Sequence, residues 1–184
     1  MRVVQLLPTL SFGDAIGNDT IALKGVISEM GYSTEIYAEN IDKRLPEGTA
    51  KSVKKLRELK KDDVLIYHKS TGTDLTFKLA DYKCRKIMVY HNITPPEFFQ
   101  PYSIPATQLT ELGYKGVAHL RDKMDYVLAL DDTDVRIAVL ISVCKVELGI
   151  QNDECSIVRD LLPIYIENEC SDNTKIFVRT HLED

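Results

Sequence analysis

The sequence predicts an α/β domain whose parallel sheet is covered by helices on both faces. Three observations lead there. Short runs rich in β-branched residues alternate with segments of helical periodicity, each apolar run stops at turn-forming or polar residues, and neither an internal repeat nor a low-complexity tract interrupts the alternation. Strands joined through helices in this way form right-handed crossovers, which lay each helix against the sheet.

The elements follow in order. "RVVQLL" (2–7) is a strand by composition, and "PTLSFGDAIG" breaks it. Asp14 or Asn18 can cap a following helix in which Leu23, Val26, Ile27 and Met30 share one face, with Gly31 as its stop. "STEIYA" (33–38) is the second strand, and the lysine-rich "KSVKKLRELKK" (51–61) reads as a solvated basic helix. "DVLIY" (63–67) is the third strand, a short helix lies around "TDLTFKLADY", and "RKIMVYH" (85–91) is the fourth strand. A helix carrying His119 precedes the fifth, "YVLAL" (126–130).

Composition narrows the function classes. With 184 residues, 44% apolar and 28% charged, the chain suffices for one ordinary domain or slightly more with its own core. A net charge of -5 disfavours a protein that gains its affinity by neutralising nucleic-acid phosphates, so no nucleic-acid partner is expected. Cys84, Cys144, Cys155 and Cys170 are widely spaced, without a C-x-x-C pair or a histidine at a ligand interval. They read as reduced thiols of a cytoplasmic protein, and neither a metal nor a cofactor is expected. "MRVVQLLPTL" is too short an apolar run for a signal peptide and lacks a small-residue cleavage site. Residues 135–150, which carry Arg136, Lys145 and Glu147, are too short and too charged to span a bilayer.

Ligands of parallel α/β sheets bind beyond the carboxyl ends of the strands. The first strand delivers Ser11, Gly13, Asp14, Gly17 and Asn18 to that rim; the third delivers Tyr67, His68, Lys69, Ser70 and Gly72; the fourth delivers His91, Asn92 and Thr94; and the fifth Asp131 and Asp132. "GDAIGND" has neither G-x-G-x-x-G nor G-K-[ST], yet a strand, a glycine-bearing turn and a helix start can present N–H groups to an anion. The same glycines also suit a tight turn with no ligand. His68 and His91 each end a strand, where a histidine serves either a site or a satisfied strand end. Lys69 reads most simply as an exposed lysine, and His119 and His181 as surface residues. The two prolines of "TPPEFF" stiffen the loop behind His91. No serine lies in a G-x-S-x-G elbow, which leaves no legible nucleophilic triad.

"LPTLSFGDAIGND", "YHKSTGTDL" and "VYHNITPPEFF" together resemble the N-terminal half of the retaining glycosyltransferases with the two-domain GT-B fold, and "YHNITPP" is the most specific of these stretches. "LPIYIE" (162–167) resembles the segment leading to the second domain. The resemblance implies a Rossmann-like acceptor-side domain over residues 1–168, with 169–184 as the start of a second domain. It implies transfer of a sugar, with retention, from a nucleotide-diphosphate donor to a glycan, lipid or small-molecule acceptor. His91 would be the catalytic residue facing the donor sugar. Gly13, Asp14, Gly17, Asn18, His68, Lys69 and Asn92 would be substrate-binding residues.

Two departures from the family pattern stand out. Residues 135–160 have no obvious counterpart, and "TKIFVR" (174–179) resembles the opening strand of the second domain without the glycine expected before its arginine. The resemblance therefore implies activity that needs a second domain, in cis or in trans, and it leaves room for peripheral membrane association and self-association. A non-catalytic interaction module of the same fold and one half of a GT-B nucleotide-sugar epimerase stay open beside it.

Overall fold

The computed structural model describes residues 1–129, together with Arg179. Expectations about Asp131, Asp132, residues 135–160, Cys144, Cys155, Cys170, His181, residues 162–167 and 174–178 and the boundary at 168 lie outside the described residues.

Residues 1–129 carry an α/β fold with six parallel strands flanked by helices. Strand β1 (Arg2–Leu10) leads into helix α1 (Ala15–Glu29), and β2 (Ser33–Ile41) is followed by a two-residue strand β3 (Lys51–Ser52). Strand β4 (Val64–Lys69), helix α2 (Leu75–Lys78), strand β5 (Arg85–Tyr90), helix α3 (Ile104–Leu120) and strand β6 (Tyr126–Ala129) complete it. The strand order is β3-β2-β1-β4-β5-β6. The order reverses between β1 and β4, and a doubly wound sheet opens its ligand crevice at such a point.

At that point β1 and β4 part early, and the cause is local. β1 pairs with β4 only from Val3↔Val64 to Leu6↔Tyr67, while its pairing with β2 continues to Leu10↔Ile41. Pro8 has no N–H to give a ladder, and it falls just beyond the last β1–β4 pair. The first strand therefore does not end at Leu7 as expected; it runs through Pro8 because β2 alone holds its second half.

Alternation along the strands assigns the faces. Val4, Leu6, Leu65, Tyr67 and Met88 join Leu75, Leu79 and Leu120 in one core cluster beneath α2 and α3. On the other face Gln5 meets α1 through Thr20, and α1 buries Leu23 and Ile27. Asp14 caps α1, its Oδ2 accepting from Gly17 N at 3.3 Å, and Gly31 leaves the helix at φ +85. α3 approaches closely because its inward stripe is small: Thr110, Gly113, Gly116 and Leu120 are buried.

The basic helix expected over 51–61 is absent. Lys51 and Ser52 add an edge strand beside Tyr37 and Ala38, residues 53–55 make one 3-10 turn, and the chain is then irregular to residue 63. Lys51 Nζ donates to Glu35 Oε1 at 2.6 Å across the edge, while Leu59 is buried and Val53 and Leu56 pack on the core cluster. A helix would instead stack like charges at Lys51, Lys54 and Lys55 and at Arg57, Lys60 and Lys61.

Candidate functional site

On the α1 face of the sheet a line of side chains runs from the middle of β1 through β4 to the carboxyl end of β5. Gln5 Nε2 donates to the Thr20 carbonyl at 3.0 Å, Gln5 Oε1 meets His68 Nε2 at 3.0 Å, and His68 Nδ1 meets His91 Nε2 at 3.0 Å. The two imidazoles stack with centroids 5.3 Å apart. Exposure is graded along the line, from Gln5 and His68, both buried, to His91, half-buried.

His91 follows the last residue of β5, and its N–H still donates to the Lys69 carbonyl at 2.9 Å. The chain turns at Asn92, which has φ +38. Asparagine tolerates that left-handed conformation better than most residues. Tyr90 Oη accepts the Ile93 N–H at 3.2 Å, Tyr114 Oη donates to the Ile93 carbonyl at 3.1 Å, and Pro96–Phe98 form a 3-10 turn. The strand ends at a left-handed asparagine, and the following loop is tied down on both sides of Ile93. An open cleft of about 460 Å³ beside it is lined by Asn92, Ile93, Thr94, Pro95, Phe98 and Tyr114.

His68 does not end its strand. It lies inside β4, which runs to Lys69, and is 1% exposed. The strand is longer than composition suggested because Lys69 is still paired with Tyr90. Lys69 is not an exposed lysine either. Adjacent strand residues point to opposite faces, so it enters the α2–α3 side, fully buried, with Nζ donating to Thr71 O at 2.6 Å and to Thr76 Oγ1 at 3.2 Å. Gly116 makes room for it, since a Cβ there would stand 3.0 Å from Nζ and 2.7 Å from Thr76 Cγ2. Burial lowers the Lys69 pKa to about 8. Tyr67 Oη lies 2.7 Å from Thr76 Oγ1 on the same side, and burial pushes its pKa well up. The strand alternation thus puts Lys69 and His68 on opposite faces of the sheet.

The turn after β1 is held by charge. Phe12 N donates to Asp42 Oδ2 at 3.3 Å, the Arg44 guanidinium lies 5.3 Å from the Phe12 ring centroid, and the bond from Arg44 holds the Asp42 carboxyl well below its usual range. Gly13 has φ +72, which glycine takes without strain. Gly17 is a packing glycine: a Cβ there would stand 2.7 Å from Ser11 O. Asn18 is exposed and already inside α1, its N–H donating to Asp14 O at 2.9 Å. The Asp14 carboxylate takes the Gly17 N–H that an anion would otherwise meet.

The structure therefore brings His68 and His91 together, places Asn92 at the turn beside them, and sends Lys69 to the other face. Residues that sequence reading passed over are Gln5 and Thr20, whose signal was a glutamine in the middle of "RVVQLL", where an apolar residue is expected. A second open cleft, of about 330 Å³, lies along the same rim between Glu39, Asn40, Thr71, Thr73 and Leu112. His119 is half-buried with its ring 5.1 Å from that of Phe77, so it is not simply a surface residue. Cys84 is a buried free thiol whose pKa burial raises to about 11. Among the described residues no group of three or more potential ligands could hold a metal ion, and no helix is long and apolar enough to cross a membrane. No protein family, curated relative or solved structure matches the chain.

Proposed function

We propose that this chain is the acceptor-side half of a retaining GT-B glycosyltransferase that uses a nucleotide-diphosphate sugar. The observation that carries the reading is His91: half-buried at the carboxyl end of β5, in contact with a buried histidine of β4, and followed by a tied-down turn beside an open cleft. Transfer with retention passes through an oxocarbenium-like centre as the diphosphate departs, so rate depends on holding the sugar in one orientation and on stabilising developing charge. A ring fixed at one nitrogen by a buried partner suits the first task. The exposed Gly13 turn and the start of α1 suit the neighbourhood of the diphosphate, although the Asp14 carboxylate already occupies one N–H there.

The test is a transfer assay with a panel of nucleotide sugars. The chain is assayed alone and together with a separately expressed donor-side domain of a GT-B glycosyltransferase. Transfer is expected, and His91→Ala should lower turnover about 100-fold while leaving the melting temperature nearly unchanged. Absence of both transfer and nucleotide-sugar binding in every combination overturns the reading.

A second reading, a non-catalytic interaction module of the same fold, is favoured by the exposure of Phe98 (66%), Tyr102 (87%) and Ile104 (71%) within one short stretch. Loss of self-association or partner binding in Tyr102→Ser, with nucleotide sugars ignored by the wild type, would select it.

A further inference from the structure

We propose that the cleft beginning at Asn92, one residue past His91, seats a neutral pyranose ring, so that the acceptor of the transfer is a carbohydrate and not a lipid. Calling that sugar an acceptor rests on the glycosyltransferase reading above; the sugar site itself does not. The cleft, of about 460 Å³, falls in the range of about 300–1,000 Å³ typical of small-ligand sites. Its apolar lining is Ile93, Pro95 and the rings of Phe98 and Tyr114, and Asn92 and Thr94 add an amide and a hydroxyl. No lining side chain carries a charge. A phosphate, carboxylate or ammonium brought there would give up water without gaining a counter-charge. An alkyl chain would use the apolar walls but neither polar group. A pyranose uses both, because one face of its ring presents C–H groups to the negative face of an aromatic ring while its hydroxyls donate to and accept from an amide and a hydroxyl. A nucleobase also stacks on aromatic rings, but it arrives with phosphates for which this lining holds no cation.

The two rings are held from different elements. Tyr114 stands on α3, and its Oη donates to the Ile93 carbonyl at 3.1 Å, while Tyr90 Oη on β5 accepts the Ile93 N–H at 3.2 Å. Phe98 ends the 3-10 turn Pro96–Phe98, which two prolines stiffen. Walls fixed before binding lose less conformational freedom when a ligand arrives. Phe98 is 66% exposed and Tyr114 40%, so both keep ring surface open to water that a ligand can cover. Tyr102 and Ile104, also exposed, are not part of the lining, which separates this site from the interaction face of the second reading.

The measurement is an amide-resonance titration of the full chain with three kinds of probe: a panel of methyl pyranosides and disaccharides, a nucleoside, and hexanol as an alkyl chain. Expected are saturable shifts at Thr94, Phe98 and Tyr114 with at least one saccharide and with neither of the other probes. Phe98→Ala should weaken saccharide binding about tenfold at an unchanged melting temperature, and Phe98→Tyr, which keeps the ring, should retain wild-type affinity. The absence of saccharide shifts at these residues overturns the proposal. So do shifts by the nucleoside or hexanol as strong as those by saccharides, and so does unchanged saccharide affinity in Phe98→Ala. The transfer assay with a donor-side domain keeps the two readings apart. Saccharide binding in the cleft of a chain that transfers no sugar in any combination leaves the site standing and sinks the glycosyltransferase reading. Transfer to a non-carbohydrate acceptor, with the cleft silent to saccharides, does the reverse.

Discussion

The two ends of the sheet are built on different physics. At the amino-terminal edge, polar groups are paired by charge and the chain is locked. Asp63 is 1% exposed and accepts from Arg2 N at 2.7 Å, Arg2 Nε at 3.1 Å, Arg2 Nη2 at 2.7 Å and Lys60 N at 3.0 Å. Burial pushes the Asp63 carboxyl up, but these bonds outweigh it and hold its pKa below the usual carboxylate value. Asp125 repeats the device beside it, accepting from Lys86 N at 2.7 Å while its own N–H donates to Lys86 O. Toward the carboxyl-terminal edge Gln5 and His68 are buried and bonded to each other, half-buried His91 follows, and buried Lys69 donates to the Thr71 carbonyl and to Thr76 Oγ1. Buried carboxylate bonds anchor the first rim, whereas at the second the ion pair of Asp42 with Arg44 lies at the surface and left-handed turns at Gly13 and Asn92 shape the loops. The first arrangement suits stability, and the second puts titratable groups at the rim where ligands of parallel α/β sheets bind.

Breaking the anchored edge should have the largest effect. Asp63→Ala leaves a guanidinium and two N–H groups without their acceptor and should cost about 4 kcal/mol in chemical denaturation. The pH dependence sharpens the point. A carboxyl whose folded pKa is depressed contributes stability that is fully present above its unfolded pKa of about 3.9 and is lost as pH falls below it. Wild-type stability should therefore fall more steeply than that of Asp63→Ala below about pH 4.

Lys69 should behave in the opposite sense. The unfolded chain keeps its proton to near 10.5, whereas the folded chain sheds it near 8, so raising the pH through that window favours the folded state. Measured against Lys69→Met, wild-type stability should gain up to about 3 kcal/mol between those pH values. A flat difference would mean that the amine is not desolvated. The smallest effect belongs to the turn behind His91: Asn92→Ala should cost about 1 kcal/mol at its φ of +38, whereas Asn92→Gly should be close to neutral. Equal costs for the two would show that the asparagine side chain, not its backbone, holds the turn.

The parallel α/β fold was legible because it is written in local terms. β-branched runs, capping at Asp14 and the stop at Gly31 are decided by neighbouring residues, and they placed five of the six strands and the first helix. His91 at a strand's carboxyl end was legible for the same reason, since a polar residue and two prolines close an apolar run. What tertiary structure alone decided was where charge and hydrogen bonds meet across the sheet. The lysine-rich segment became an edge strand and an irregular tie, because Glu35 and the core offered more than a helix of like charges could. Lys69 went into the core, since the strand that carries it gained two residues and strand alternation fixed its face. The pairing of Gln5, His68 and His91 joins residues 63 and 23 positions apart. Only the order of strands brings them together, and strand order is a property of the packed sheet, not of any segment of the chain.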